Sequence, residues 1–135
     1  MANVDFQRVH RNNERREENT VGGEFIPADD GTLATGEGAI ISSLPKNAVL
    51  VGITVVGIGL AAATIATVTI GGVGYTAAVD INDGAAELAV NDPVLLVDAE
   101  QVILTADADI TTGRVIVLPR FIEFDLTTGN RVEAV

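Results

Sequence analysis

NAVLVGITVVGIGLAAATIATVTIGGVGYTAAV, residues 47–79, runs for thirty-three residues without a charge, and its reading decides the fold. A stretch of that length could cross a bilayer as a helix, for which about 20 apolar residues suffice. Its composition points to strands instead. Val, Ile and Thr dominate both ends, and these β-branched residues favour a pleated backbone. Gly52, Gly57, Gly59, Gly71, Gly72 and Gly74 divide it into strand-length pieces. Val49, Val51, Ile53 and Val55 alternate with the small or polar Gly52 and Thr54, although Leu50 breaks the pattern. In Thr64–Ile70 the alternation returns, with Ala66, Val68 and Ile70 on one face and Thr67 and Thr69 on the other. A period of two is that of a half-buried strand. The stretch therefore reads as two long strands joined across Gly57–Ala62, followed by a third at Val73–Ile81.

Working outward, shorter strands are expected at Glu24–Pro27, Ala39–Ser43, Ala86–Val90, Val94–Val97 and Gln101–Thr105. Two more close the chain, Arg114–Leu118 and Phe121–Leu126, with Pro119 interrupting them because proline cannot donate into a ladder. Asp29-Asp30-Gly31, Leu44-Pro45, Asn82-Asp83-Gly84, Asn91-Asp92-Pro93 and Thr127–Asn130 supply turns. No stretch carries a sustained helical stripe. Eight to ten strands with turns about every ten residues indicate an all-β sandwich or barrel. The core residues are mostly Val, Ile, Ala and Gly, with four Phe, one Tyr and no Trp. Layers so small bury little area each, so association of copies is expected to add burial and to cover strand edges.

The division of the chain follows composition. Residues 1–23 are a polar N-terminal arm dense in charge of both signs, and residues 24–135 are the β-sandwich domain. The opening MANVDFQRVHRNNERREEN has no apolar core and is not read as a secretory signal. As a helix the arm would place Arg11 beside Arg15 and Glu14 beside Glu18, which is unfavourable. It reads either as a frayed terminus or as a segment that orders on a partner. In the second reading Phe6 and Val9 are anchors, while Arg8, Arg11, Arg15 and Arg16 pair with carboxylates. Residues 25–135 carry only Lys46, Arg114, Arg120 and Arg131 against fourteen acids, a net charge of −10. Such a body repels phosphate, which argues against nucleic acid as a partner. A membrane partner is not expected either. Without cysteine there is no disulfide or thiolate chemistry, which fits a reducing compartment.

No catalytic set emerges. His10 is the only histidine and lies in the arm, so no nucleophile–histidine pair can be built in the body. Asp107, Asp109 and Thr111 alternate like calcium ligands, yet Thr112 and Leu118 stand where an EF-hand needs Gly and Glu. Gly57-Ile-Gly59 and Gly71-Gly72-Val-Gly74 match no nucleotide fingerprint and read as turns or bulges. Asp80 with Asp83, or Glu123 with Asp125, could form a glycosidase pair, but sugar sites want aromatic platforms and the chain has few. These acids read as turn and outer-face residues. No enzyme activity, metal or cofactor is expected.

Three segments carry a resemblance: SSLPKNAVLVGITVVG (42–57), TIATVTIGGVGYTAAVDI (64–81) and ITTGRVIVLPRFIEFDL (110–126). Across residues 38–126 the chain resembles the small capsid decoration, or cement, proteins of tailed bacteriophages. The resemblance implies a jelly-roll-like sandwich, commonly a homotrimer, on the outer surface of a virion assembled in the host cytoplasm. There it would bridge neighbouring copies of the major capsid protein and stiffen the head against DNA pressure. It transfers no particular functional residue. A head-fibre or tail assembly module and a carbohydrate-binding module are the alternatives.

Overall fold

The computed structural model describes residues 18–20 and 22–123, and every structural statement below concerns these. The chain forms two antiparallel sheets packed face to face, a β-sandwich. Its strands are β1 (Glu18–Thr20), β2 (Gly23–Phe25), β3 (Ala39–Leu44), β4 (Ala48–Ile58), β5 (Ala66–Ile70), β6 (Val73–Thr76), β7 (Gly84–Leu88), β8 (Val94–Leu96), β9 (Glu100–Ala106) and β10 (Arg114–Glu123). A single helical turn, α1 (Pro27–Asp30), follows β2 where a turn was expected. Sheet 1 has the order β1-β10-β4-β7, with β2 also on β10 and β8 also on β4. Sheet 2 has the order β3-β9-β5-β6.

The uncharged stretch supplies the middle of both sheets. β4 lies between β10 and the β7–β8 edge, while β5 lies between β9 and β6. Ala66, Val68 and Ile70 of β5 point inward as their alternation predicted, against Leu50, Ile53 and Val55 of β4 and Val115, Val117 and Phe121 of β10. The third expected strand is shorter than read. β6 ends at Thr76, and the chain then leaves sheet 2 for sheet 1, with Ala77 N–H donating to Ala66 and Ile81 N–H to Thr64. Val79 is exposed on this crossing while Ile81 is fully buried.

The face assignment in β4 also needs correction. Along β10, Arg120 pairs with Gly52 but Phe121 pairs with Leu50, so Val51 is an extra residue on β4. A bulge of this kind reverses the alternation, because the side-chain period is two. Before it Ala48 and Leu50 are buried; after it Ile53 and Val55 are. Val49 and Val51, expected beside Ile53, lie on the opposite face. Leu50 broke the pattern because it belongs to the core.

Nor does Pro119 interrupt the last strand. β10 runs unbroken from Arg114 to Glu123, with Pro119 buried and paired with Ile53. Phe25 pairs with Val115 and Thr20 with Arg120 in one continuous register, so β1 and β2 lie along the same side of β10. Thus Glu18–Thr20 and Gly23, read as part of the arm, are strand residues of sheet 1. Residues 1–17 and the closing turn and tail, 124–135, lie outside the described residues.

The bulge generates a prediction. Leu50→Ala should destabilise the protein by about 2–5 kcal/mol, as expected for a core leucine. Val51→Ala should cost less than about 1 kcal/mol. Urea unfolding of the two variants checks the order; the strict alternation would have reversed it.

Candidate interaction surface

The predicted site residues divide by position. Phe6, Arg8, Val9, Arg11, Arg15 and Arg16 all lie outside the described residues. The described chain begins at β1, whose Glu18 pairs with Ile122 of β10, so the arm joins the body at the edge of sheet 1.

Of the acids weighed as a possible catalytic or cation site, Asp80, Asp83, Asp107 and Asp109 take up backbone hydrogen bonds at one end of the sandwich, whereas Glu123 ends β10 and Asp125 lies outside the described residues. Asp80 accepts the N–H groups of Thr64 at 2.9 Å and Asn82 at 2.8 Å. Asp83 accepts from Gly59 at 2.7 Å, and Asp107 from Ile65 at 2.7 Å. Asp109 accepts both the N–H and the hydroxyl of Thr35 at 2.8 Å. Each carboxylate ties its own loop to another, joining the turns that follow β4, β6 and β9. Hydrogen bonds to the charged form hold the carboxyls of Asp80 and Asp109 below the usual range, through Thr64 and Asn82 in one and Thr35 in the other. Gly113 closes the last of these turns at φ 75°, and a Cβ there would strike the Ile58 carbonyl. Among the described residues, no three groups of metal-binding type cluster.

The described aromatic rings give no sugar platform. Phe25 and Phe121 are buried, and Tyr75 packs against the core, where partial burial raises its phenol pKa.

The outer face of sheet 1 was not foreseen. Arg120 points away from the core and crosses β4 at Gly52 to form an ion pair with Glu87 of β7. The guanidinium lies close over Gly52, where a Cβ would oblige it to shift. Thr54 donates to the other Glu87 oxygen at 2.6 Å, so the clasp spans three strands. Around it the face is apolar, with Val49, Val51, Val56, Ile116, Leu118 and Ile122 half-buried. Beside β2 the face is notched by a shallow cavity of about 300 Å³, lined by Gly22, Gly23, Glu24, Ile116 and Leu118. Glu24 is held at its rim by Arg114 at 3.3 Å. The sequence signal was present in VIVLPRFI, but the period-two reading did not say which face was inner.

No family model matches the chain, and no curated protein matches it. Solved structures do. The chain is similar to one in the capsid asymmetric unit of cyanophage Pam1, with a TM-score of 0.61 and 18% identity over 81% of this chain and 86% of that one. It is also similar to a chain in the acid-stable capsid structure of Helicobacter pylori bacteriophage KHP30. There the TM-score is 0.54 and the identity 12%, over 79% of this chain and 89% of that one. The likeness is one of fold.

The aspartate ties predict a pH response. Both lowered pKa values lie below the unfolded carboxylate value, so each tie stabilises the fold above that value and is lost as pH falls through the folded pKa. The urea midpoint should stay level from neutral to about pH 5 and drop below about pH 4. In the double variant Asp80→Asn/Asp109→Asn the drop should be shallower, as read by tryptophan-free circular dichroism of the strand signal.

Proposed function

We propose that the chain is a non-enzymatic structural protein of a phage virion that decorates the outer capsid surface and bridges neighbouring major capsid subunits. The observation that carries this reading is the fold likeness to chains of two phage capsid structures, which extends over about four-fifths of this chain. The strand order supports it. The strands divide between two antiparallel sheets, β1-β10-β4-β7 and β3-β9-β5-β6, a sandwich that suits such a role. Asp80, Asp83, Asp107 and Asp109 accept backbone N–H groups of neighbouring loops, which gives these acids a structural use.

In this reading the arm is a second contact. Residues 1–17 carry Arg8, Arg11, Arg15 and Arg16 beside Phe6 and Val9, and join the body at a strand edge. Extended along a neighbouring subunit, the arm would bury its apolar anchors while the arginines make charge-assisted bonds to carboxylates. Copies associate, as a trimer, where capsomers meet.

Pelleting of expanded, undecorated phage heads with added protein tests the proposal. Full-length protein should saturate the heads, and deletion of residues 2–16 should lower occupancy while leaving the melting temperature little changed. No binding by the full-length chain would refute the capsid role. Equal binding by both forms would refute the role of the arm.

A further inference from the structure

The two outer faces of the sandwich differ in kind. On sheet 2, Thr67 and Thr69 of β5 lie beside Thr105 of β9, a hydroxyl-rich face whose apolar pair, Ile40 and Ile103, sits towards the β3 edge. On sheet 1 the register aligns Leu95, Val49 and Ile122 in one row, and Ala85, Val56 and Ile116 in another. Val51, Leu118 and the Arg120–Glu87–Thr54 clasp occupy the space between. An antiparallel sheet with one solvated face alternates apolar and polar positions. This one carries apolar side chains on both sides, broken on the outer one by its two ion pairs. The patch also reaches the sheet edge, where Leu95 is 55% exposed and the following Val97 71%.

Charge indicates what covers it. The whole chain has a net charge of −11, so copies repel one another over most of their surface. The outer faces of the two sheets are exceptions: that of sheet 2 shows hydroxyls, and that of sheet 1 is the apolar one. Arg120 and Arg114 both lie on it, and each is paired with an acid of the same face, Glu87 and Glu24. The face is therefore close to neutral, and a like-charged copy can approach it without adding acid to acid. Four strands about 4.8 Å apart and ten residues at about 3.3 Å each give a flat face of roughly 600 Å². That approaches the ~800 Å² per partner of a standard stable interface.

We infer that a second copy of this chain covers the outer face of sheet 1. This rests on the proposed association of copies and names its surface. The β8 edge of one copy, with Leu95 and Val97, meets the face of the next around Val56, Ile116 and Leu118. Such edge-to-face contact is head-to-tail, and it closes as a ring where the rotation between copies allows.

Sedimentation equilibrium of the full-length chain and four variants tests this. Val56→Lys and Ile116→Lys alter the face, Leu95→Lys alters the exposed edge, and Thr69→Lys is a control on sheet 2. A lysine reduces net negative charge and so weakens repulsion between copies; any loss of association must come from the contact itself. Full-length protein should be oligomeric. The face and edge variants should associate about 30-fold more weakly or worse, as for an interface hot spot, while Thr69→Lys should match the unaltered chain. Circular dichroism checks folding, and Leu95→Lys decides if a face variant misfolds. A monomeric full-length chain, or association unchanged in all variants, would overturn the inference. So would stronger association after deletion of residues 2–16, which would mean that the chain's own arm covers the face. The capsid reading is judged separately by pelleting. Binding of heads by a monomeric chain defeats only the surface; an oligomer broken by Leu95→Lys that never binds heads defeats only the capsid role.

Discussion

The pairing of β4 with β10 is the constraint on which the rest of the structure depends. It runs from Arg114 opposite Ile58 to Glu123 opposite Ala48, the length of the molecule. β4 carries the β7–β8 edge on its other side, and β10 carries β1 and β2, so every strand of sheet 1 is placed by this one ladder. The bulge at Val51 tunes it. One extra residue keeps Leu50 and Ile53 both in the core while the strand twists between them, which a regular ladder of the same sequence would forbid. The same irregularity sets Gly52 beneath Arg120, so core packing and the outer clasp are fixed together.

The ends of the sandwich are secured by different means. A core of Val, Ile, Leu and Ala gives the sheets few large side chains to interlock. At the end where β4, β6 and β9 finish, aspartates stand in for them. Asp80, Asp83, Asp107 and Asp109 each accept an N–H from a different loop, satisfying backbone donors that turns otherwise leave to water. The acidic composition thereby acquires a structural use. A side chain able to hold its own turn and a neighbouring loop joins two connections at once.

The likeness to capsid chains and the apolar outer face of sheet 1 bear on the same question from opposite directions. The first is a likeness of fold; the second concerns which surface is prepared for contact. A face that is apolar and neutral within a strongly acidic molecule suits burial against another protein, whereas the threonine face of sheet 2 suits water. The arm enters beside the apolar face, because β1 and β10 bring both ends of the described chain to one corner of sheet 1.

By itself the sequence determined the fold class, most turns and much of the core. Alternation in Ala66–Ile70, glycine spacing and Asn-Asp-Gly turns are local signals, and local backbone preference suffices to read them. Tertiary structure decided the rest. Whether Val51 or Leu50 enters the core depends on a bulge set by β10, more than sixty residues away, and no window of β4 contains it. Pro119 reads as a breaker in its own window, yet its strand runs on because β4 pairs with it on both sides of the proline. The Arg120–Glu87 clasp joins three strands brought together only by folding, and the outer apolar face is invisible until the inner one is identified. A period of two gives two faces; packing alone says which of them meets the other sheet.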